Sequence, residues 1–275
     1  MNDEALILTV APNGAYKRRG DHPALPLIPA ELAQTAKDCL DAGAAMLHLH
    51  VRRPDGSHSL RADDYRAAIT AVRQAVGEQL VIQITTEAAG VYDPPEQMAV
   101  VRELRPEAVS VGLRELCRPA PDRARLAGFF GHLRATGVMT QVILYDVEDL
   151  RQWQALLREG VVPSGPWWLL FVLGRYSAGQ TSAPTDLLPY LHAWRDGEAA
   201  QPWAMCAFGA QEYRCAMAAA ALGGHVRVGF ENNLLLRDGA VASDNAALVR
   251  QAAQGAQALG RPLADAAWVR ARLAG

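Results

Sequence analysis

Apolar runs of strand length recur about every 30 residues along the chain, each followed by a stretch whose apolar positions return at helical spacing. The eight runs are LILTVA (Leu6 to Ala11), MLHLHV (Met46 to Val51), LVIQIT (Leu80 to Thr85), AVSVGL (Ala108 to Leu113), TQVILY (Thr140 to Tyr145), WLLFVL (Trp168 to Leu173), WAMCAF (Trp203 to Phe208) and VRVGFE (Val226 to Glu231). They are mostly apolar throughout rather than alternating, which is the pattern of parallel strands covered on both faces. Helices are predicted over Pro29 to Leu40, Asp63 to Val76, Pro95 to Leu104, Pro121 to Thr136, Glu148 to Arg158, Thr185 to Trp194, Gln211 to Leu222 and Ser243 to Leu259. Pro29 suits a first helical turn and Gly43 a left-handed cap, while Pro262 breaks the chain before a short terminal helix ending near Leu273. Eight βα pairs in 275 residues match the size of a closed (β/α)8 barrel, the TIM barrel. An open doubly wound sheet is the alternative, but no Gly-rich dinucleotide loop follows the first strand. No linker or composition shift divides the chain, so the expected class is α/β, one barrel domain over residues 1–275 with a short C-terminal helical extension.

Composition narrows the function. Half of the residues are apolar, and 27 Lys and Arg face 29 Asp and Glu for a net charge of -2. That excludes disorder and leaves no broad cationic face for nucleic acid or an anionic membrane, so small ligands are the expected partners. The four cysteines show no paired spacing, as in a reducing cytoplasm. The start, MNDEALILTV, reads as neither a signal nor a transit peptide, and no apolar stretch reaches bilayer length, so a cytoplasmic location is expected.

In a barrel the chemistry sits at the C-terminal ends of the strands. The second strand ends in His48-Leu49-His50, and residues two apart on a strand share a face, roughly 6 to 7 Å apart at the backbone. The eighth run places Arg227, Gly229 and Glu231 on one face, and strands two and eight both flank the first, so Glu231 is expected to complete a His, His, Glu site. Such a set leaves a coordination position open, as in catalytic zinc sites, and it also accepts Co, Ni or Mn. Two readings compete with it: ordinary hydrogen-bonded core histidines, and a salt bridge between Arg227 and Glu231. Cys206 and Cys215 read as small core residues, and His22, His58, His132, His192 and His225 as surface or turn residues. The loop from Asn13 to Pro23 carries Tyr16, Lys17, Arg18 and Arg19 over the expected barrel mouth, either as a solvated charge cluster or as cations for a carboxylate or phosphate. The segment GRYSAGQTSAP, with Gly174 and Ser177, is a second candidate for close approach of an anionic ligand.

Over nearly its whole length the sequence resembles the zinc-dependent β-keto acid cleavage enzymes, the family containing 3-keto-5-aminohexanoate cleavage enzyme. The resemblance rests on HLHVR (His48 to Arg52), VIQIT (Val81 to Thr85), FVLG (Phe171 to Gly174), HVRVGFENN (His225 to Asn233), Ser243 to Ala246 and GRPLA (Gly260 to Ala264). It implies a (β/α)8 barrel, a homotetramer, zinc on His48, His50 and Glu231, and a reaction of a β-keto acid with acetyl-CoA that gives acetoacetate and a new acyl-CoA. It further implies charge stabilisation by Arg227 and substrate binding by Thr85. Two departures stand out. Much of the family has Glu-Asp-Asn where this chain has Glu231-Asn232-Asn233, and an amide is no general base. Glu87, Asp146 and Glu148 are the replacement candidates, Glu87 because Thr85-Thr86-Glu87-Ala88 stands in place of Ser-Thr-Gly-Gly, while Asn232 is left to position substrate. Tyr16 stands where a member acting on an amino-substituted substrate has an acid, which favours an uncharged, aromatic-tolerant or anionic β-keto acid. Outside this reaction, the alternatives are a relative that binds ligand or metal without turnover, and a zinc hydrolase on the same barrel.

Overall fold

The computed structural model describes residues 5–118, 120–195 and 201–273, and the acidic start at Asp3 and Glu4 and the last two residues of the expected domain lie outside them. Among the described residues eight parallel strands close into a barrel in chain order: β1 (Leu8–Val10), β2 (Met46–Leu49), β3 (Val81–Thr85), β4 (Ala108–Gly112), β5 (Met139–Leu144), β6 (Trp168–Leu173), β7 (Trp203–Ala207) and β8 (His225–Val228). Thr9 closes the ring, lying opposite Met46 of β2 on one side and Arg227 of β8 on the other. The outer ring is α1 (Pro29–Asp41), α2 (Ala62–Val76), α3 (Pro94–Leu104), a single turn α4 (Leu113–Leu116), α5 (Arg123–Ala135), α6 (Val147–Arg158), α7 (Leu188–Arg195), α8 (Glu212–Ala221) and α9 (Asn245–Ala258), with α10 (Ala266–Leu273) last. Aspartates cap several of these: the side chains of Asp93, Asp122, Asp146 and Asp244 each accept a hydrogen bond from an N–H in the first turn of the helix that follows.

Each strand is buried on both faces for two separate reasons. Outward residues such as Leu8, Val10, Leu47, Ile84, Val111 and Phe171 pack beneath the helices. Inward residues Ile7, Met46, Val81, Met139, Trp168 and Leu170 form a second apolar cluster with Ala266, Val269 and Leu273 of α10. Leu6 is bonded to Pro262 and Ala264, so α10 lies across the N-terminal end of the barrel, and Arg270 anchors it through ion pairs with Glu78 and Glu107. The terminal helix thus packs on its own barrel. Further along the axis the buried inward positions turn polar, with His48, Gln83, Ser110, Gln141 and Arg227. Apolar packing fills one end of the barrel and hydrogen-bonding groups gather at the other, where chemistry sits in this fold. No helix among the described residues is long and apolar enough to cross a membrane.

Two expected strands end two or three residues early, and both departures shape the site. β2 stops at Leu49, and Val51–Arg52 pair instead with His58–Ser59 in a short antiparallel ladder. β8 stops at Val228 rather than Glu231, because Gly229 takes φ 139° and the chain turns over the end of β1, where Ala11 O accepts from Glu231 N. Arg227 therefore faces inward from the strand, whereas Glu231 arrives through a tight turn. A Cβ at residue 229 would stand 2.4 Å from Ala11 O, so only glycine fits. Gly229→Ala is expected to cost about 1–3 kcal/mol or more of stability, read as a fall in melting temperature. An unchanged melting temperature would mean that the turn tolerates a side chain. The helix predicted over Thr185 to Trp194 is also divided, into a 3-10 turn (Pro184–Leu187) and α7.

Candidate active site

His48 closes the inward row of β2 and His50 follows one step beyond the sheet, both buried. Their Nε2 atoms stand 3.1 Å apart, and Glu231 Oε2 lies 3.5 Å from the first and 3.6 Å from the second. His48 Nδ1 donates to Gln83 Oε1 at 2.8 Å, which fixes the tautomer and leaves the Nε2 lone pair facing the cluster. Glu231 Oε2 is buried with no hydrogen-bond partner. Bare acceptor atoms converging in this way repel one another unless a cation lies between them, and three ligands on one tetrahedral zinc stand about 3.3 Å apart. The charge states agree. Burial pushes the Glu231 carboxyl up, but Arg227, His50 and His48 together hold it well below the ordinary range, while burial and Arg227 keep His48 well below its own. His48, His50 and Glu231 are thus a group able to hold a metal ion.

The Arg227 salt bridge does not compete with this arrangement. Its Nη2 is 3.5 Å from Glu231 Oε1, the other carboxylate oxygen, and 3.4 Å from Cys206 Sγ. Arg227 Nε and Nη1 are buried without partners, as are both side-chain atoms of Asn232. Unpaired donors of this kind are costly in an empty protein and point to a ligand that accepts from them.

Glu87 enters from the loop after β3. Its Oε2 is 3.9 Å from His50 Nε2 and its Oε1 3.8 Å from Arg175, and burial, opposed by His50, raises its pKa. The loop is tied at three points: Glu87 N donates to Thr85 Oγ1, Glu87 O accepts from His58 Nε2, and Ala88 N donates to Glu115 Oε2. Thr85 is thereby turned toward its own loop. Glu115 is itself pushed up to about 7 by burial, which outweighs the hydrogen bond from the Ala88 N–H. His58 is a correction, since the ladder with Val51–Arg52 buries it 5.4 Å from the His50 ring, and His22 and His225 are likewise buried rather than at the surface. Of the other acids considered as bases, Asp146 caps α6 and pairs with Arg114, and exposed Glu148 pairs with Arg151. Neither lines the cleft.

That cleft, about 300 Å³, opens above the cluster and is lined by Tyr16, Lys17, Glu87, Arg175, Phe208 and Glu231 among others. Lys17 Nζ donates to the Glu231 carbonyl at 2.7 Å. Arg18 and Arg19 are corrections to the expected cationic mouth, because the loop coils and sends them outward. Arg18 is exposed, its backbone N–H donating to Asp21 and its carbonyl accepting from the N–H groups of Asp21 and His22, and Arg19 pairs with Glu31 at 2.6 Å beside the start of α1. Gly174 and Ser177 also stay outside the cleft: Ser177 Oγ donates to the Gly174 carbonyl and accepts from Thr181 N, holding the loop after β6 in shape. What that loop presents instead is Arg175, overlooked in the sequence although it directly follows the FVLG strand end. Its guanidinium rests on Tyr16, Phe208 and Tyr176.

The sequence model of the beta-keto acid cleavage enzyme family matches residues 5–274. A 3-keto-5-aminohexanoate cleavage enzyme from Acetoanaerobium sticklandii is 28% identical over 95% of this chain and 95% of its own. A 3-oxoadipate:acetyl-CoA acetyltransferase from Cupriavidus necator is 28% identical over 97% and 94%. Among solved structures, apo ObcA superposes with a TM-score of 0.74 at 18% identity, covering 91% of this chain and 65% of ObcA, which supports the closed barrel. With the match running across all but the ends of the sequence, the chain belongs to the β-keto acid cleavage enzyme family.

Proposed function

We propose that the protein is a zinc-dependent acyltransferase that condenses a β-keto acid with acetyl-CoA and cleaves the product to acetoacetate and a new acyl-CoA. The observation that carries the reading is the meeting of His48 Nε2, His50 Nε2 and the unpartnered Oε2 of Glu231, a residue that lines the cleft and lies beside Arg227 with its free N–H groups. A divalent metal bound by His48, His50 and Glu231 supplies Lewis-acid polarisation of the keto oxygen and balances developing negative charge. The remaining roles fall to the chain's own groups. Arg227, charged and held beside Glu231, offers Nε and Nη1 to the carboxylate of the β-keto acid. Asn232, next in sequence to Glu231, has a buried amide whose donor and acceptor are both unpartnered and is assigned to orient the substrate. Glu87 takes the proton from the carbon between keto and carboxyl groups at Oε2, the oxygen facing His50. Burial raises its proton affinity, which strengthens it as a base. Thr85 and Glu115 act through Glu87 by fixing its loop. Tyr16 and Lys17 wall the cleft on the other side. A cytoplasmic homotetramer belongs to the same reading, supported by the family resemblance.

Incubating zinc-loaded protein with acetyl-CoA and a panel of β-keto acids is expected to yield acetoacetate and the matching acyl-CoA, both read by mass spectrometry. Bound zinc without acetoacetate from any substrate would leave a metal-binding relative and sink the acyl transfer.

A further inference from the structure

We propose that Arg175 selects β-keto acids carrying a second carboxylate at the far end, so that the substrate is a β-keto dicarboxylic acid. This rests on the reaction class proposed above and narrows it. Arg175 lines the cleft, with its guanidinium 4.9 Å from the Tyr16 ring centre, 5.3 Å from that of Phe208 and 5.6 Å from that of Tyr176. Aromatic faces hold the plane of an arginine and leave its N–H edge for a planar acceptor, which a carboxylate engages with both oxygens.

The edge is unused. The Arg175 side chain makes no hydrogen bond to any described residue, and the one carboxylate near it, Glu87 Oε1, is 3.8 Å away, beyond hydrogen-bond length. Of the other cations at the site, Arg227, with Nε and Nη1 unpaired, sits beside Glu231 at the metal-binding cluster, and the rest are engaged. Arg52 donates to the carbonyls of Gly14, Lys17 and Gly56, Arg114 is bonded to Asp146 and Asp149, and Lys17 is bonded to the Glu231 carbonyl. Position matters as much as availability. The two oxygens of Glu87 reach toward His50 and Arg175 respectively, so the free guanidinium edge lies one short chain's length from the metal-binding cluster. A molecule with its keto acid end at the cluster and a few carbons beyond it brings a terminal carboxylate to Arg175. The opposite choice, a terminal ammonium held by Glu87, would set two cations within reach of the same carboxylate, with Arg175 already there.

The test compares 3-oxoadipate, 3-oxohexanoate and 3-keto-5-aminohexanoate as substrates of the zinc-loaded enzyme with acetyl-CoA. The dicarboxylate is expected to exceed both others in kcat/KM by about 100-fold, as for a charge-assisted pair formed with one and absent with the rest. Arg175→Met is expected to bring the ratio of 3-oxoadipate to 3-oxohexanoate close to one, and Arg175→Lys to leave an intermediate ratio. Equal use of the neutral substrate by the native enzyme, preference for the ammonium substrate, or an unchanged ratio in Arg175→Met would each overturn the proposal. Calorimetric binding of the unreactive pair adipate and hexanoate separates this from the reaction class. Tighter binding of adipate that disappears in Arg175→Met, with no turnover of any substrate, upholds Arg175 and overturns the acyl transfer. Turnover without tail preference does the reverse.

Discussion

Replacing His48 with alanine is expected to empty the metal site and to lower acyl transfer by on the order of a thousandfold or more. The variant removes one of three converging acceptor atoms and leaves His50 and Glu231 alone, 3.6 Å apart. Two ligands hold zinc far more weakly than three, and Arg227, already 3.5 Å from Glu231 Oε1, then competes for the carboxylate without opposition. Two measurements decide the matter, metal content by elemental analysis and turnover in the acetoacetate assay. Full metal occupancy in the variant would remove His48 from the ligand set whatever the activity shows. A melting temperature near that of the metal-stripped native protein would show that the loss is local and not an unfolding.

Glu87→Gln is expected to lower kcat by about 10²- to 10⁴-fold, the usual contribution of a positioned general base, while metal content stays at the native level. The substitution keeps the shape of the side chain, and the ties that hold the loop run through backbone atoms of residues 87 and 88, so the loop itself is left standing. An unchanged kcat would take the proton-abstracting role from Glu87 and leave it as a wall of the cleft.

The parts of this site that were legible in the sequence are those fixed by strand periodicity. His48 and His50 share a face because side chains alternate along an extended chain, and Arg227 faces inward from β8 by the same rule. Glu231 shares that face in the sequence pattern but reaches the cluster by another route, since the strand predicted to carry it ends three residues earlier and Gly229 swings it into place. Loops were hard to read because their paths depend on what they pack against. Three consecutive cations, Lys17 to Arg19, look alike in sequence, yet one reaches the Glu231 carbonyl and two point away. His58 reads as a turn residue until the ladder with Val51–Arg52 folds it beneath Glu87. Arg175 differs from any surface arginine only through its neighbour Tyr176 and rings contributed by two distant stretches of chain, Tyr16 and Phe208.

The loop after β1 divides its labour within four residues. Gly14 lies so close to Glu231 that a Cβ would stand 2.7 Å from Glu231 Cγ, and Lys17 grips the carbonyl of the same residue, so both hold the carboxylate proposed as a metal ligand. Tyr16, between them, turns to Arg175 and is more than half exposed. On the reading proposed above, residue 16 therefore bears on which tail the cleft accepts, through Arg175, while residues 14 and 17 bear on the metal-binding cluster, through Glu231.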